Sequence, residues 1–251
     1  MNHKNSILLI DNSNSRTKFL LSRQGLLEGE LRVLPTRRLT IEKVRELLFD
    51  WEFSSVCISS VVPGKAELLA QCFHCPVSFV RVHENLPVDF SSYGGRKKLG
   101  ADRVANILGA LDWNRFPVIA VDLGTAITFD LVTTDSSGSV TFVGGIISPG
   151  VSLFRDYLPA QTSLLPSFVG KPLPLEVGVG NTTEQAMLYG ITSGMKGMIS
   201  SIITDLSSAL EEPPFVIATG GDARWASELV PEINAVDSLL TFRGILRFAL
   251  N

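Results

Sequence analysis

The chain has 251 residues, 45% of them apolar and 19% charged, enough to bury a sizeable core in one large domain or two smaller ones and too apolar for a disordered linker. Lysine and arginine number 22 against 25 acidic residues, a formal net charge of −3, which lacks the basic excess that neutralising a nucleic-acid backbone requires and excludes nucleic acid as an expected partner. No run reaches the ~18 consecutive apolar residues of a membrane span, and three cysteines, an odd number, argue against a disulfide framework and for a reducing, cytoplasmic setting.

The opening MNHKNSILLIDNSN enters a short apolar run that meets Asp11 before it can serve as a signal peptide. ILLIDNSNSRTKFLL, 7–21, is a pair of apolar runs broken by small polar residues and predicts strand, tight turn, strand. LTIEKVRELLFDW, 39–51, spaces Leu39, Val44, Leu47, Leu48 and Trp51 as a helix does, and SVCISSVV, 55–62, reads as a buried strand. Pro63 and Gly64 punctuate the chain; KAELLAQCF then predicts a helix and VSFVRV, 77–82, a strand, the alternation of a sheet with covering helices. Cys72 and Cys75 flank His74 in a C-x-x-C without the second pair a structural zinc site needs, so they read as ordinary half-buried thiols, and His3, His74 and His83 as surface or locally satisfied histidines.

The glycine-rich, basic loop SSYGGRKKLGADRV, 91–104, runs into a helix that starts near Ala101. FPVIAVDLGTAITFDLV, 116–132, then repeats the form of the opening hairpin: apolar strand, Asp, a small residue, a polar side chain, a second strand. Asp11 and Asp122 stand 111 residues apart, too long a period for a solenoid, so the chain reads as two related lobes, 1–115 and 116–251. Further on, SVTFVGGIISPG predicts a strand, VSLFRDYL a helix, TSLLPSFVGKPLPLEVGVG a surface loop, and 181–210 a long helix opening at a cap-rich Asn-Thr-Thr. PPFVIATGGDA predicts a strand ending in paired glycines, and WASELVPEI and LLTFRGILRFAL are closing helices. Met187, Met195 and Met198 are expected in a lobe or subunit contact, and Trp51, Trp113 and Trp225 in core or rim packing.

The chain has no G-x-x-x-x-G-K-[ST] loop, so any phosphate is handled another way. A tight turn of small residues exposes backbone N–H groups and lets hydroxyls reach phosphate oxygens, while a carboxylate at the strand end can hold hydrated Mg²⁺. Asp11, Asn14, Ser15 and Lys18 supply these parts in the first hairpin, and Asp122, Gly124, Thr125 and Thr128 in the second; either one, read alone, is equally compatible with an ordinary turn. Together with Thr219, Gly220 and Gly221 they point to a split nucleotide site, an arrangement that resembles the acetate kinase, sugar kinase, Hsp70 and actin superfamily. Gly100-Ala101-Asp102-Arg103, at a loop-to-helix junction, adds a carboxylate suited to taking a hydroxyl proton and a guanidinium suited to holding an anionic group.

The ordered set D-x-x-N-S-x-x-K (Asp11 to Lys18), G-A-D-R (Gly100 to Arg103), D-L-G-T-A-I-T-F-D (Asp122 to Asp130), G-G-I-I-S-P-G (Gly144 to Gly150), G-N-T-T (Gly180 to Thr183) and T-G-G-D-A (Thr219 to Ala223) spans nearly the whole chain and resembles the type III pantothenate kinases. The resemblance implies an α/β fold of two related ribonuclease H-like lobes with an ATP cleft between them. It also implies transfer of the ATP γ-phosphoryl group to the hydroxyl of pantothenate, the first step of coenzyme A biosynthesis. By similarity Asp11, Asn12, Ser13, Asn14, Ser15, Arg16, Thr17 and Lys18 surround the ATP phosphates, Gly124 and Thr125 reach the nucleotide from the second lobe, and Gly220 and Gly221 face the adenosine. Asp102 is the implied proton acceptor, and Tyr93, Gly100, Ala101, Arg103 and Thr183 contact substrate; Thr183 rather than Thr182 has the family's spacing from Met187 and Gly190. Asp122 is the implied ligand of a monovalent cation, K⁺ or NH₄⁺, and Asp11 the implied holder of Mg²⁺ through water.

The family also implies a homodimer. Ser13 stands where the family usually has glycine: either the position is left-handed, and strained with serine, or the serine hydroxyl adds a phosphate contact. Arg96 stands where proline is common, and with Lys97 and Lys98 makes its loop more basic. Two other readings stay open, a kinase of the same superfamily acting on a sugar or another hydroxy acid and a non-catalytic ATP-binding regulator. An ATP-consumption panel separates the first, and nucleotide binding without phosphorylation of any small acid marks the second.

Overall fold

The computed structural model describes residues 6–168 and 170–251, so His3 lies outside the described residues. In chain order the elements are β1 (Ser6–Asn12), β2 (Arg16–Arg23), β3 (Leu26–Pro35), α1 (Ile41–Leu47), β4 (Ser55–Ser60), α2 (Pro63–Gln71), β5 (Val77–Phe79), α3 (Ala101–Ala110), β6 (Val118–Leu123), β7 (Ala126–Thr134), β8 (Val140–Pro149), α4 (Val151–Gln161), α5 (Thr183–Ser207), β9 (Phe215–Gly220), α6 (Ala223–Leu229), β10 (Ala235–Val236) and α7 (Leu240–Leu250).

β1 and β6, each with a continuous apolar run, form the centres of two five-stranded sheets, because a strand covered on both faces must be apolar at consecutive positions. The sheets are ordered β3-β2-β1-β4-β5 and β8-β7-β6-β9-β10. In each, the central strand forms an antiparallel hairpin with the next strand and lies parallel to the fourth. The repeat seen between the two hairpins is therefore a repeat of whole-sheet topology.

By its contacts the chain divides into two units. One takes the described residues up to Asn114 with Thr134–Val143 and Leu239–Asn251, and the other the described residues of Arg115–Thr133 and Gly144–Ser238. The first thus includes two segments beyond the single 115/116 boundary read from the repeat, the later because α7 packs on α3 and β1. Its core joins Leu8, Ile10, Phe19, Val56 and Ile58 of the sheet to Val44 of α1 and Leu69 of α2. In the second unit Ile119, Val121, Ile127 and Phe129 pack with Met195, Ile199 and Ile203 of α5 and Ala223 and Ala226 of α6. Met187 and Met195 are buried and Met198 packs against that cluster.

Several elements differ from their sequence expectations. The strand expected over 77–82 stops at Phe79, where its pairing with β4 ends. The helix expected over 39–51 spans only α1, capped by the Thr40 hydroxyl accepting from the Lys43 N–H, and WASELVPEI stops at Leu229, two residues before Pro231. β3 and β10 were not read. β3 is an edge strand whose Glu28, Glu30 and Arg32 leave no apolar run, and β10 has two residues.

α3 is buried from Arg103 through Ala110, and its pairing with α7 depends on two glycines. A Cβ at Gly109 would lie 2.2 Å from the Leu240 carbonyl oxygen, and one at Gly244 would lie 1.6 Å from that of Ala105. Backbone cannot yield as a flexible side chain can, so Gly244→Ala is expected to destabilise the fold by about 1–3 kcal/mol or more through forced separation of these helices. Urea unfolding with an unchanged midpoint would contradict the close approach.

Candidate active site

Asp11 sits at the C-terminal end of β1, in register with Lys18 of β2 and Ser59 of β4. Its side chain is 7% exposed, a burial that is unfavourable unless a partner is supplied. The register provides one: Lys18 Nζ donates to Asp11 Oδ2 at 3.0 Å. Of the residues expected around phosphate, Ser13 is half-buried and Asn14, Ser15 and Arg16 are exposed. The side chains of Asn12 and Thr17 instead face inward, buried and bonded to each other at 2.8 Å. Ser13 is not left-handed, the non-glycine residues with positive φ among those described being Gln24 and Asn114; its N–H and hydroxyl both donate to the Arg16 carbonyl, at 3.1 and 2.9 Å.

Asp102 lies in the first turn of α3, where the helix dipole favours a carboxylate. The Arg103 N–H donates to its Oδ1 at 2.7 Å. A Cβ at Gly100 would stand 2.6 Å from that same oxygen, so the Asp102 side chain in this position folds back over the space beside Gly100. Burial pushes the Asp102 carboxyl above the usual aspartate range; the Arg103 N–H opposes the shift and the Asp11 charge adds to it. The two carboxylates of the opening hairpin and of G-A-D-R therefore share one electrostatic neighbourhood within the first unit.

Arg103, 7% exposed, has its guanidinium carbon 5.9 Å from the Tyr93 ring centroid and 5.8 Å from that of Phe142. Tyr93 and Phe142 are 5.1 Å apart and Phe90 completes the cluster at 5.6 Å from Phe142. Phe142 was not read from sequence, because it reaches Arg103 through the bridge of Asp89 with Thr141, a pairing without local signal. Arg96, Lys97 and Lys98 form an exposed single turn.

In the second unit Asp122 ends β6 as Asp11 ends β1, in register with Thr128 of β7 and Thr219 of β9. Gly220 has φ +97°, and a Cβ there would meet the Leu123 carbonyl at 2.5 Å and Asp122 Oδ1 at 2.6 Å. Gly150 donates its N–H to the Thr125 carbonyl at 3.1 Å, and its Cβ would lie 2.2 Å from the Gly124 carbonyl. Three of the motifs, D-L-G-T, G-G-I-I-S-P-G and T-G-G, thus pack together, with Thr125 and Gly221 exposed.

The buried hydroxyls of Ser59 and Thr128 have no hydrogen-bond partner among the described residues, and each flanks one of the aspartates across a strand pair. Oxygen donors beside a carboxylate fit a hard cation or the waters it carries. The described residues hold no group of three His, Cys, Asp or Glu that could form a metal cage. Thr183 opens α5. The hydroxyl of Thr182 caps the helix by accepting from the Gln185 N–H at 3.1 Å, whereas exposed Thr183 lines a mostly apolar groove of about 770 Å³ with Phe154, Tyr157, Met187 and Ile191.

Among the described residues no helix is long and apolar enough to cross a membrane. The family model for type III pantothenate kinase matches residues 7–205. The chain is 37% identical over 238 residues to a type III pantothenate kinase of Akkermansia muciniphila, covering 95% of this chain and 96% of the relative. It is 33% identical over 245 residues to one of Methylacidiphilum infernorum, covering 95% and 86%. Among solved structures it resembles the inorganic polyphosphate/ATP-glucomannokinase of Arthrobacter sp. strain KM, with TM-score 0.51, 15% identity and 98% of each chain covered, a likeness of fold alone. With its motifs seated at matching ends of two sheets of one topology, the chain belongs to the type III pantothenate kinase family.

Proposed function

We propose that this chain transfers the γ-phosphoryl group of ATP to the primary hydroxyl of pantothenate, giving 4'-phosphopantothenate and ADP at the entry to coenzyme A biosynthesis. The observation that carries this reading is the pairing of Asp102, its carboxyl raised by burial, with the buried Arg103 at one helix start. Arg103 binds the pantothenate carboxylate through its planar donor fork, with Tyr93, Gly100, Ala101 and Thr183 as further contacts. Asp102 accepts the hydroxyl proton as the new O–Pγ bond forms and the bond from Pγ to the ADP oxygen breaks.

The turn Ser13–Lys18 is assigned to the ATP phosphates, Asn12 and Thr17 acting from behind it. Gly124, Thr125, Gly220 and Gly221 of the second unit are assigned to the nucleotide as well. Asp11 is the residue that would hold Mg²⁺ through water and Asp122 the one that would hold a monovalent cation, K⁺ or NH₄⁺; when bound, these ions neutralise phosphate charge. The buried hydroxyls beside each aspartate support both assignments. Free thiols at Cys57, Cys72 and Cys75 suit a cytoplasmic setting. Family membership and the exposed Leu153, Tyr157 and Leu158 on α4 support a homodimer that covers this face.

A coupled assay with pantothenate, MgATP and K⁺ is expected to show turnover that sugars and other hydroxy acids do not support, and that falls when K⁺ and NH₄⁺ are omitted. Asp102→Asn is expected to lose about 10²- to 10⁴-fold in kcat while MgADP still binds; unchanged kcat removes the base assignment.

Because the folded-state pKa of Asp102 is raised, its ionised form costs stability above that pKa, and the cost vanishes below the unfolded value. Asp102→Asn should therefore melt higher than the parent at about pH 8 and equal to it near pH 3.5, and kcat of the parent should fall on acidification at a pH above the ordinary aspartate value of about 3.9. Thermal melts whose difference does not shrink on acidification would contradict the burial. Sedimentation velocity should give the mass of two chains, and Leu158→Glu the mass of one.

A further inference from the structure

The turn of the opening hairpin is held from behind by a line of side chains whose hydrogen bonds can be ordered proton by proton. Thr36 Oγ1 donates to the Ser13 carbonyl at 2.7 Å. A hydroxyl has one proton, so at the 3.0 Å contact between Thr36 and Thr17 the donor is Thr17. Thr17 Oγ1 in turn accepts from Asn12 Nδ2 at 2.8 Å. The Ser60 hydroxyl stands 2.7 Å from the Asn12 amide oxygen and 3.4 Å from the Val62 carbonyl, so its one proton goes to the nearer Asn12, and Ser60 Oγ accepts the Val62 N–H at 3.2 Å. Every proton points the same way, from the first residue before α2 to the carbonyl of Ser13. Thr36 adds a second hold on the turn, its own N–H donating to the Ser15 carbonyl at 3.1 Å.

Water cannot stand in for any middle member, since Asn12, Thr17 and Thr36 are 1%, 0% and 3% exposed. The line runs across three strand ends, from β4 through β1 and β2 to the residue that follows β3, so it fixes the turn to the sheet and not merely to its own hairpin. Bonds aligned head to tail polarise one another, and interrupting one leaves two buried groups unsatisfied.

We propose that Thr36 and Ser60 are positioning residues for the nucleotide: through this one-way line they hold the Ser13–Ser15 turn in the shape that receives phosphate. The inference rests on the assignment of that turn to the ATP phosphates. A turn already held in its binding shape loses less freedom when the ligand arrives, so the relay raises affinity for nucleotide without touching it.

The test uses the full chain and two readouts, calorimetric binding of MgADP and steady-state KM for MgATP and pantothenate. Thr36→Val keeps the shape and removes the hydroxyl; it is expected to weaken MgADP and raise KM for MgATP about tenfold, with KM for pantothenate within about twofold. Thr36→Ser restores the donor and should return nucleotide affinity to within about threefold of the parent, and Ser60→Ala should follow Thr36→Val in direction. The relay is overturned if Thr36→Val binds MgADP as the parent does, if Thr36→Ser fails to rescue, or if both substrates weaken together. Lys18→Ala separates the two levels of the argument. If it binds MgADP unchanged, the phosphate turn itself is misassigned, whereas weakening by Lys18→Ala with no effect of Thr36→Val removes the relay alone.

Discussion

A carboxylate at the end of a buried central strand can persist only where the flanking strands supply what water no longer does. Asp11 meets that constraint, and half-buried Asp122 occupies the matching place in the second sheet. β1 and β6 are apolar through their middles because both faces are covered, and each reaches an aspartate at its C-terminal end, the edge of a parallel pair at which ligands commonly bind. The register then decides what each aspartate faces. Lys18 stands across from Asp11, while Thr128 stands across from Asp122. The position of the chemistry is thus set by sheet pairing, and the turns that follow each aspartate are short enough to keep it there.

Glycines perform the complementary task of admitting backbone and oxygen where a side chain would collide. Gly100 leaves the space into which Asp102 folds, and Gly220 leaves that of Asp122. Both glycines therefore answer to a carboxylate in their own unit. For Gly220 this gives a physical reason for the T-G-G motif that is separate from its assignment to the nucleotide. Gly109 and Gly244 act at longer range, bringing α7 against α3; the last helix of the chain thereby buttresses the helix that carries Asp102 and Arg103.

How much of this was legible in sequence follows from which interactions are local. The two hairpins, the start of α3 at G-A-D-R and the cap of α5 all rest on contacts within a few residues, so apolar runs and capping side chains exposed them. The inward turn of Asn12 and Thr17 did not show, because the hydroxyls that draw them in, Thr36 and Ser60, arrive from β3 and β4. β3 itself was hidden by its edge position, where charged residues alternate without an apolar run. Phe142 was hidden for a related reason: its place beside Arg103 depends on the bridge between Asp89 and Thr141, 52 residues apart. Reading the motifs as a set located the aspartates but could not say which neighbouring side chains face the ligand and which support the wall behind it.

At equivalent positions the two sheets also differ in what each aspartate faces. Asp11 is flanked by Lys18 and Ser59, and Asp122 by Thr128 and Thr219. With Lys18 Nζ at 3.0 Å, an ammonium group offsets the buried Asp11 carboxylate from across the hairpin. Opposite Asp122 the register places neutral hydroxyls in place of an ammonium group. One difference of residue at one register position, lysine in the first sheet and threonine in the second, thus gives two aspartates at matching strand ends different neighbours across their hairpins.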